Sequence, residues 1–199
     1  MLKQINSYIS ELKETLDRVE ITSGNKREMN YTDGIDKLVH IFRTYKSSRK
    51  GVYLCGNGGS AGIAQHMTAD FLKNGGIFTH SLYGQTTLTC LSNDLSYEYV
   101  FSKQLELMAK PGELLVAISS SGESENIIKA IKTIRKFNGM VITLTGFKED
   151  NQIRSMGDWN VYVPKAHYGI VESIHNIILQ QIVDQIVETD GIALEIEKD

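Results

Sequence analysis

Two stretches of this chain combine glycine, serine and asparagine in a way that suits an anion. The first, Cys55-Gly56-Asn57-Gly58-Gly59-Ser60, follows an apolar run from Val52 to Cys55 and leads straight into a helical pattern. Glycines at 56, 58 and 59 let backbone approach a ligand closely. The helix start beyond them offers unpaired N–H groups and the positive end of a dipole. The second, Ser119-Ser120-Ser121-Gly122-Glu123-Ser124, follows the run Leu114 to Ile118 and again opens a helix. Hydroxyls and amides grouped there can bind three phosphate oxygens without a cationic side chain. Taken singly, each stretch also reads as a plain strand-to-helix turn, with Ser60 capping the first helix. Two such turns, each at the end of a core strand, point to a phosphate cradle for a small, sugar-like ligand. Neither fits GxGxxG or GxxxxGK[ST], so a nucleotide is the weaker reading.

Ionisable groups cluster on two helical patterns. His66 and Asp70 lie one turn apart on one face, so they can act together or hold a metal; alternatively Asp70 is a structural surface carboxylate. On the last helix, Glu172 can serve as a base or a ligand. His175, set among Ile174, Ile177 and Ile178, is either catalytic or a hydrogen-bonded core histidine. His66, Asp70, Glu172 and Gln180 can each donate a lone pair, so a metal is possible but not required. The two cysteines, Cys55 and Cys90, lack metal-ligand spacing and read as reduced core thiols.

The elements that must position these residues alternate in type. Apolar spacing predicts a helix from Leu2 to about Ser23, its stripe running Ile5, Ile9, Leu12, Leu16, Val19, and a second from Asp33 to about Ser48. Short runs apolar on both faces predict strands at Val52–Cys55, Leu114–Ile118, Met140–Leu144 and Trp159–Val163, with a weaker one near Thr87 to Leu91. Helices are expected at about 61–73, 97–109, 124–137 and 168–188. Strand-then-helix repetition implies an α/β, doubly wound, three-layer domain whose ligands sit at the carboxyl ends of the strands. The 199 residues suit one domain: a helical arm over 1–50, an α/β core over 51–188 and an acidic tail over 189–199. A net charge of -3 without a basic arm argues against nucleic acid. No window approaches the roughly 20 apolar residues of a membrane span, and the amino terminus has no signal-peptide pattern, so a cytoplasmic protein is expected.

At the level of whole motifs the chain resembles the sugar isomerase (SIS) domain family, and within it the phosphoheptose isomerases. The resemblance rests on CGNGGSAGIAQH at 55–66, LSNDLSYEYVFSKQ at 91–104, AISSSGESENIIKAI at 117–131, VITLTG at 141–146 and VESIH at 171–175. It implies a five-stranded parallel, flavodoxin-like sheet, a homotetramer with active sites at subunit interfaces and zinc as a possible but not required cofactor at the same site. It assigns a sugar phosphate and its phosphate to Asn57, Ser60, Ser119, Ser120, Ser121 and Ser124, with Gly58 and Gly59 in the same turn. Asp94, in an Asn-Asp turn after a strand, would meet sugar hydroxyls or a neighbouring subunit, or simply cap a helix.

Two positions depart from the pattern that the resemblance implies. Asp70 stands where those enzymes carry a glutamate, and Gln180 where they carry a second histidine. The shorter carboxylate draws its oxygen back by about 1.5 Å, a carbon–carbon bond length. Glutamine cannot take or give a proton at neutral pH. Two functions follow. One is an aldose–ketose isomerase converting sedoheptulose 7-phosphate to glycero-manno-heptose 7-phosphate through an enediol, served by Asp70, Glu172, His66 and His175. The other is a sugar-phosphate-binding regulator or scaffold that has kept the cradle and lost turnover.

Overall fold

The computed structural model describes residues 2–24 and 28–191. The amino-terminal helix α1 (Leu2–Leu16) is followed by two strands, β1 (Glu20–Ser23) and β2 (Glu28–Met29), and by α2 (Tyr31–Ser48). The rest alternates: β3 (Val52–Gly56), α3 (Gly59–Lys73), β4 (Thr79–Ser81), α4 (Gln85–Asp94), α5 (Ser102–Met108), β5 (Leu114–Ser119), α6 (Glu125–Lys136), β6 (Met140–Thr145), β7 (Trp159–Tyr162) and α7 (Tyr168–Thr189). Short 3₁₀ turns at Tyr97–Tyr99 and Gln152–Ser155 complete the described chain.

One sheet carries the strands in the order β2-β1-β7-β6-β5-β3-β4. The five strands from β7 to β4 are parallel, and β1 and β2 extend the β7 edge antiparallel. Within the parallel part the chain starts at β3, steps outward to β4, then returns past β3 to β5, β6 and β7. The direction of winding reverses between β3 and β5, the place where open α/β sheets leave a crevice at their carboxyl ends.

Successive side chains of each central strand enter opposite layers, as the strand period demands. Val52, Leu54, Val116 and Ile118 face the layer of α2, α3 and α7, whereas Tyr53, Cys55, Leu115 and Ala117 face that of α5 and α6. Both faces are covered, which is why these runs are apolar throughout.

The amino-terminal and β4 regions differ from the sequence expectation. The first helix stops at Leu16 rather than running to about Ser23: tight turns through Arg18 N–H to Thr15 O and Val19 N–H to Leu16 O close it. Val19 therefore leaves the helical stripe. Glu20–Ser23, placed within a helical arm, instead pairs with β7, and fully buried Ile21 packs against Gly34 of α2. Among the described residues the sheet thus has seven strands, five of them parallel. The weak strand near Thr87 to Leu91 is the helix α4. Threonines at 86, 87 and 89 favour a strand in isolation, but the Thr89 hydroxyl bonds back to Gln85 O and Thr86 O, a local bond that a helix accommodates. The strand of that region is Thr79–Ser81, too short and polar to register as an apolar run. The acidic tail lies outside the described residues beyond 191. Among the described residues no helix is long and apolar enough to cross a membrane.

Candidate functional site

The glycine turn and the serine stretch meet at the crevice between β3 and β5. Asn57 leaves β3, Gly58 adopts φ 54° as the residue before α3, and the helix starts at Gly59 without a side-chain cap. A β-carbon at Gly56 would lie 2.7 Å from Ser60 Cβ, so glycine there is what lets the chain fold back tightly onto buried Ser60. Tyr83, on the loop after β4, holds the end of β3 from the side. Gly56 N–H donates to the Tyr83 hydroxyl (2.7 Å), which donates in turn to Gly56 O (2.8 Å). Burial pushes the Tyr83 phenol well above its usual range, so it stays protonated for that role.

Across the crevice, β5 ends at Ser119 and α6 begins after Ser124. The Ser119 hydroxyl lies 3.5 Å from that of Ser121, donates to Ser124 Oγ (3.4 Å) and accepts from Gly122 N–H (3.1 Å). Ser124 makes no capping bond to α6. Two uncapped helix starts therefore point into one crevice with three clustered hydroxyls between them, an anion site by geometry and by dipole. Ser120 is buried, and its hydroxyl has no protein partner among the described residues. Gly122 sits at φ 69°, and a β-carbon there would overlap the amide of buried Asn151, whose Nδ2 donates to Gly146 O (3.2 Å) and Lys148 O (2.7 Å). The serine loop is thus locked to the segment after β6.

Of the ionisable candidates, Glu172 comes closest to this crevice. It is half-buried on α7, with its carboxylate in the place a β-carbon of residue 59 would occupy. Two features bring it there. His167 starts α7 by accepting Ile170 N–H at Nδ1 (3.3 Å), and Gly146 lets the helix approach the end of β6, since a β-carbon there would stand 2.7 Å from Val171 Cγ1. His66 and Asp70 do pair, Nε2 to Oδ2 at 3.5 Å, with the imidazole exposed. At 1.5 Å per residue, however, Asp70 lies on the order of 16 Å along α3 from Gly59. Glu172 and Asp70 of one protomer therefore do not converge on one reacting carbon.

The remaining candidates are placed differently from the expectation. His175 is 0 % exposed, and its ring Nε2 lies 3.1 Å from Thr145 O. Burial pushes its pKa down to about 4 against the opposing effect of that bond. It is the packed core histidine of the two readings, bonded to backbone and without exposed surface. Gln180 donates to Asp184 (3.0 Å) in a surface groove beside Leu16 and Tyr31. Asp94 is not in a turn after a strand but in the last turn of α4, exposed, accepting from Asn93 Nδ2 (2.9 Å) and the Cys90 thiol (3.4 Å). Cys90 is exposed rather than core, because α4 runs along the rim without burying any residue fully; Cys55 is buried as expected. His66 and Asp70, two of the four donors considered for zinc, are in contact with each other. Among the described residues no three His, Cys, Asp or Glu side chains converge to hold one.

Three residues that shape the crevice escaped the sequence reading: Tyr83, Tyr97 and Asn126. Asn57 Nδ2 donates to Asn126 Oδ1 (2.9 Å), Asn126 Nδ2 donates to Asn57 Oδ1 (2.8 Å), and the Tyr97 hydroxyl donates to the same Asn57 oxygen (2.8 Å). A signal for Asn126 was available. It stands four residues before Ala130 on the buried stripe of α6, where an amide needs a partner.

The SIS domain pattern matches residues 7–146. The phosphoheptose isomerase of Shewanella denitrificans is 33% identical over 166 residues, covering 79% of this chain and 84% of its own, and that of Crocosphaera subtropica is 32% identical over 166 residues, covering 80% and 81%. The structure of the phosphoheptose isomerase of Neisseria gonorrhoeae superimposes with a TM-score of 0.81 at 26% identity, over 96% of this chain and 99% of that one. With the crevice, its two uncapped helix starts and its serine cluster in the expected places, the chain belongs to the SIS domain family and, within it, to the phosphoheptose isomerases.

Proposed function

We propose that this protein interconverts sedoheptulose 7-phosphate and glycero-manno-heptose 7-phosphate through an enediol. The observation that carries the reading is the Glu172 carboxylate resting at the start of α3, beside a serine-lined anion cradle, in a chain whose relatives bear that activity's name. The phosphate is held by the hydroxyls of Ser119, Ser121 and Ser124 and the first amides of α6. Asn57 and Ser60 face the sugar. Glu172 takes the proton from C1 of the ketose as the C1–C2 double bond forms and O2 gains a proton. It returns a proton to C2 as O1 loses one and the aldehyde appears.

Gln180 cannot move protons, so the oxygens are left to His66 and Asp70. These are too far along α3 to serve the cradle of their own protomer and complete a neighbour's instead. A homotetramer is therefore part of the proposal, as is action in the cytoplasm. No step is assigned to zinc.

The test is incubation with sedoheptulose 7-phosphate in D₂O, followed by NMR. Deuterium is expected at C1 with accumulation of the aldose, and Glu172→Gln is expected to slow exchange by about a hundredfold or more, the range for loss of a general base. A protein that binds the sugar phosphate without any exchange would be a binding module, and the isomerase reading would fall.

A further inference from the structure

The amide contacts of Asn57 carry a consequence for how the site recognises its ligand. Asn57 Oδ1 receives two donors, Asn126 Nδ2 and the Tyr97 hydroxyl, both at 2.8 Å. Two lone pairs meet two donors, so the oxygen is saturated. One N–H of Asn57 Nδ2 is spent on Asn126 Oδ1 (2.9 Å). In such a reciprocal amide pair the second N–H points away from the partner, and it has no protein acceptor among the described residues.

A carboxamide without partners turns about a broad terminal torsion and presents no fixed plane to a ligand. Here reversal of Asn57 alone would set nitrogen against nitrogen and oxygen against oxygen, losing both bonds to Asn126. Tyr97, whose hydroxyl can accept as well as donate, adds a third contact on the same edge of the Asn57 carboxamide. Asn126 is 3 % exposed on the first turn of α6, and Tyr97 is 56 % exposed on the 3₁₀ turn after α4. The orientation of one side chain in the glycine turn is thus set from the helix of the serine cradle on one side and from the rim on the other.

We propose that Asn126 and Tyr97 are positioning residues that act through Asn57, holding its carboxamide in one plane to hydrogen-bond the sugar part of the bound sugar phosphate. The inference rests on the isomerase reading above and deepens it. It separates sugar recognition from phosphate recognition.

The experiment is a pair of double-mutant cycles on the purified full chain, with kcat/KM for sedoheptulose 7-phosphate as one readout and competitive inhibition by inorganic phosphate as the other. Tyr97→Phe removes only an exposed hydroxyl, which keeps the test independent of folding. It is expected to lower kcat/KM about fivefold, and Asn126→Ala about tenfold or more, the scale of one and two hydrogen bonds. In an Asn57→Ala background each is expected to change kcat/KM by less than about twofold, since a residue acting only through another has nothing left to act on. Inhibition by inorganic phosphate is expected to stay within about twofold throughout. Equal losses with and without Asn57 would overturn the proposal, as would Tyr97→Phe weakening phosphate as much as sugar phosphate. A wild-type protein that neither exchanges nor isomerises the substrate would remove the isomerase reading and this inference with it, whereas an active wild type with additive losses removes the inference alone.

Discussion

A histidine with no exposed surface, bonded through one nitrogen to Thr145 O and with no partner for the other, is held in its neutral form by burial. The unfolded chain protonates His175 near pH 6.5, while the native state resists until about pH 4. Its contribution to stability is therefore full above about pH 6.5 and is lost as the pH falls toward 4. The loss reaches about 3 kcal/mol from the size of that gap. Urea midpoints measured at pH 7 and pH 4.5 are expected to show a marked drop for the wild type and a smaller one for His175→Leu. Equal drops would place the acid sensitivity elsewhere. Glu172 illustrates the opposite case, a carboxylate whose importance comes from what it touches. The sequence offers it and Asp70 alike as candidate carboxylates, yet of the two it is Glu172 that rests against the residue that opens α3.

At the scale of elements, the cradle depends on a loop between β5 and α6 that is held from the far side. Gly122 takes φ 69° because a side chain there would be strained and would also collide with Asn151, the residue that accepts Arg154 N–H (3.1 Å) and starts the 3₁₀ turn after β6. Gly122→Ala is expected to cost about 2 kcal/mol, a strained backbone plus a displaced buried amide. It is also expected to weaken inhibition by inorganic phosphate, because Ser119 Oγ accepts Gly122 N–H. Thermal unfolding and inhibition assays on one sample check both. A stable variant with undiminished phosphate affinity would show that the cradle does not need this loop conformation. The same coupling explains a division of labour: short parallel strands fix where the loops begin, and polar side chains between loops fix where they end.

For the whole molecule, the amino-terminal helix leaves part of its apolar stripe uncovered. Leu12 and Leu16 pack on the core, while Ile5 and Ile9 are 51 % and 58 % exposed. A stripe that is half covered by its own chain suits burial by another subunit. Light scattering is expected to return close to four times the 22.3 kDa chain mass, and Ile5→Glu with Ile9→Glu is expected to lower it. A wild-type monomer that is fully active would remove the tetramer and the cross-subunit role given to His66 and Asp70.

The sequence by itself determined the layer architecture and both anion turns. Runs such as Leu114–Ile118 are apolar at every position because both faces of a parallel strand are buried, and the glycines mark a turn where side chains at 56 and 59 would collide and where 58 takes a positive φ. These signals are local in the chain. The tertiary structure alone decided what lies between distant segments: the pairing of Glu20–Ser23 with β7, the descent of His175 into the core, the approach of Glu172 to Gly59, and the tie from Asn57 to Asn126 across 69 residues. Periodicity reports which face of an element is apolar. It does not report which partner that face meets, so β1 was hidden inside an apparent helix and the residue orienting Asn57 inside an ordinary helix start.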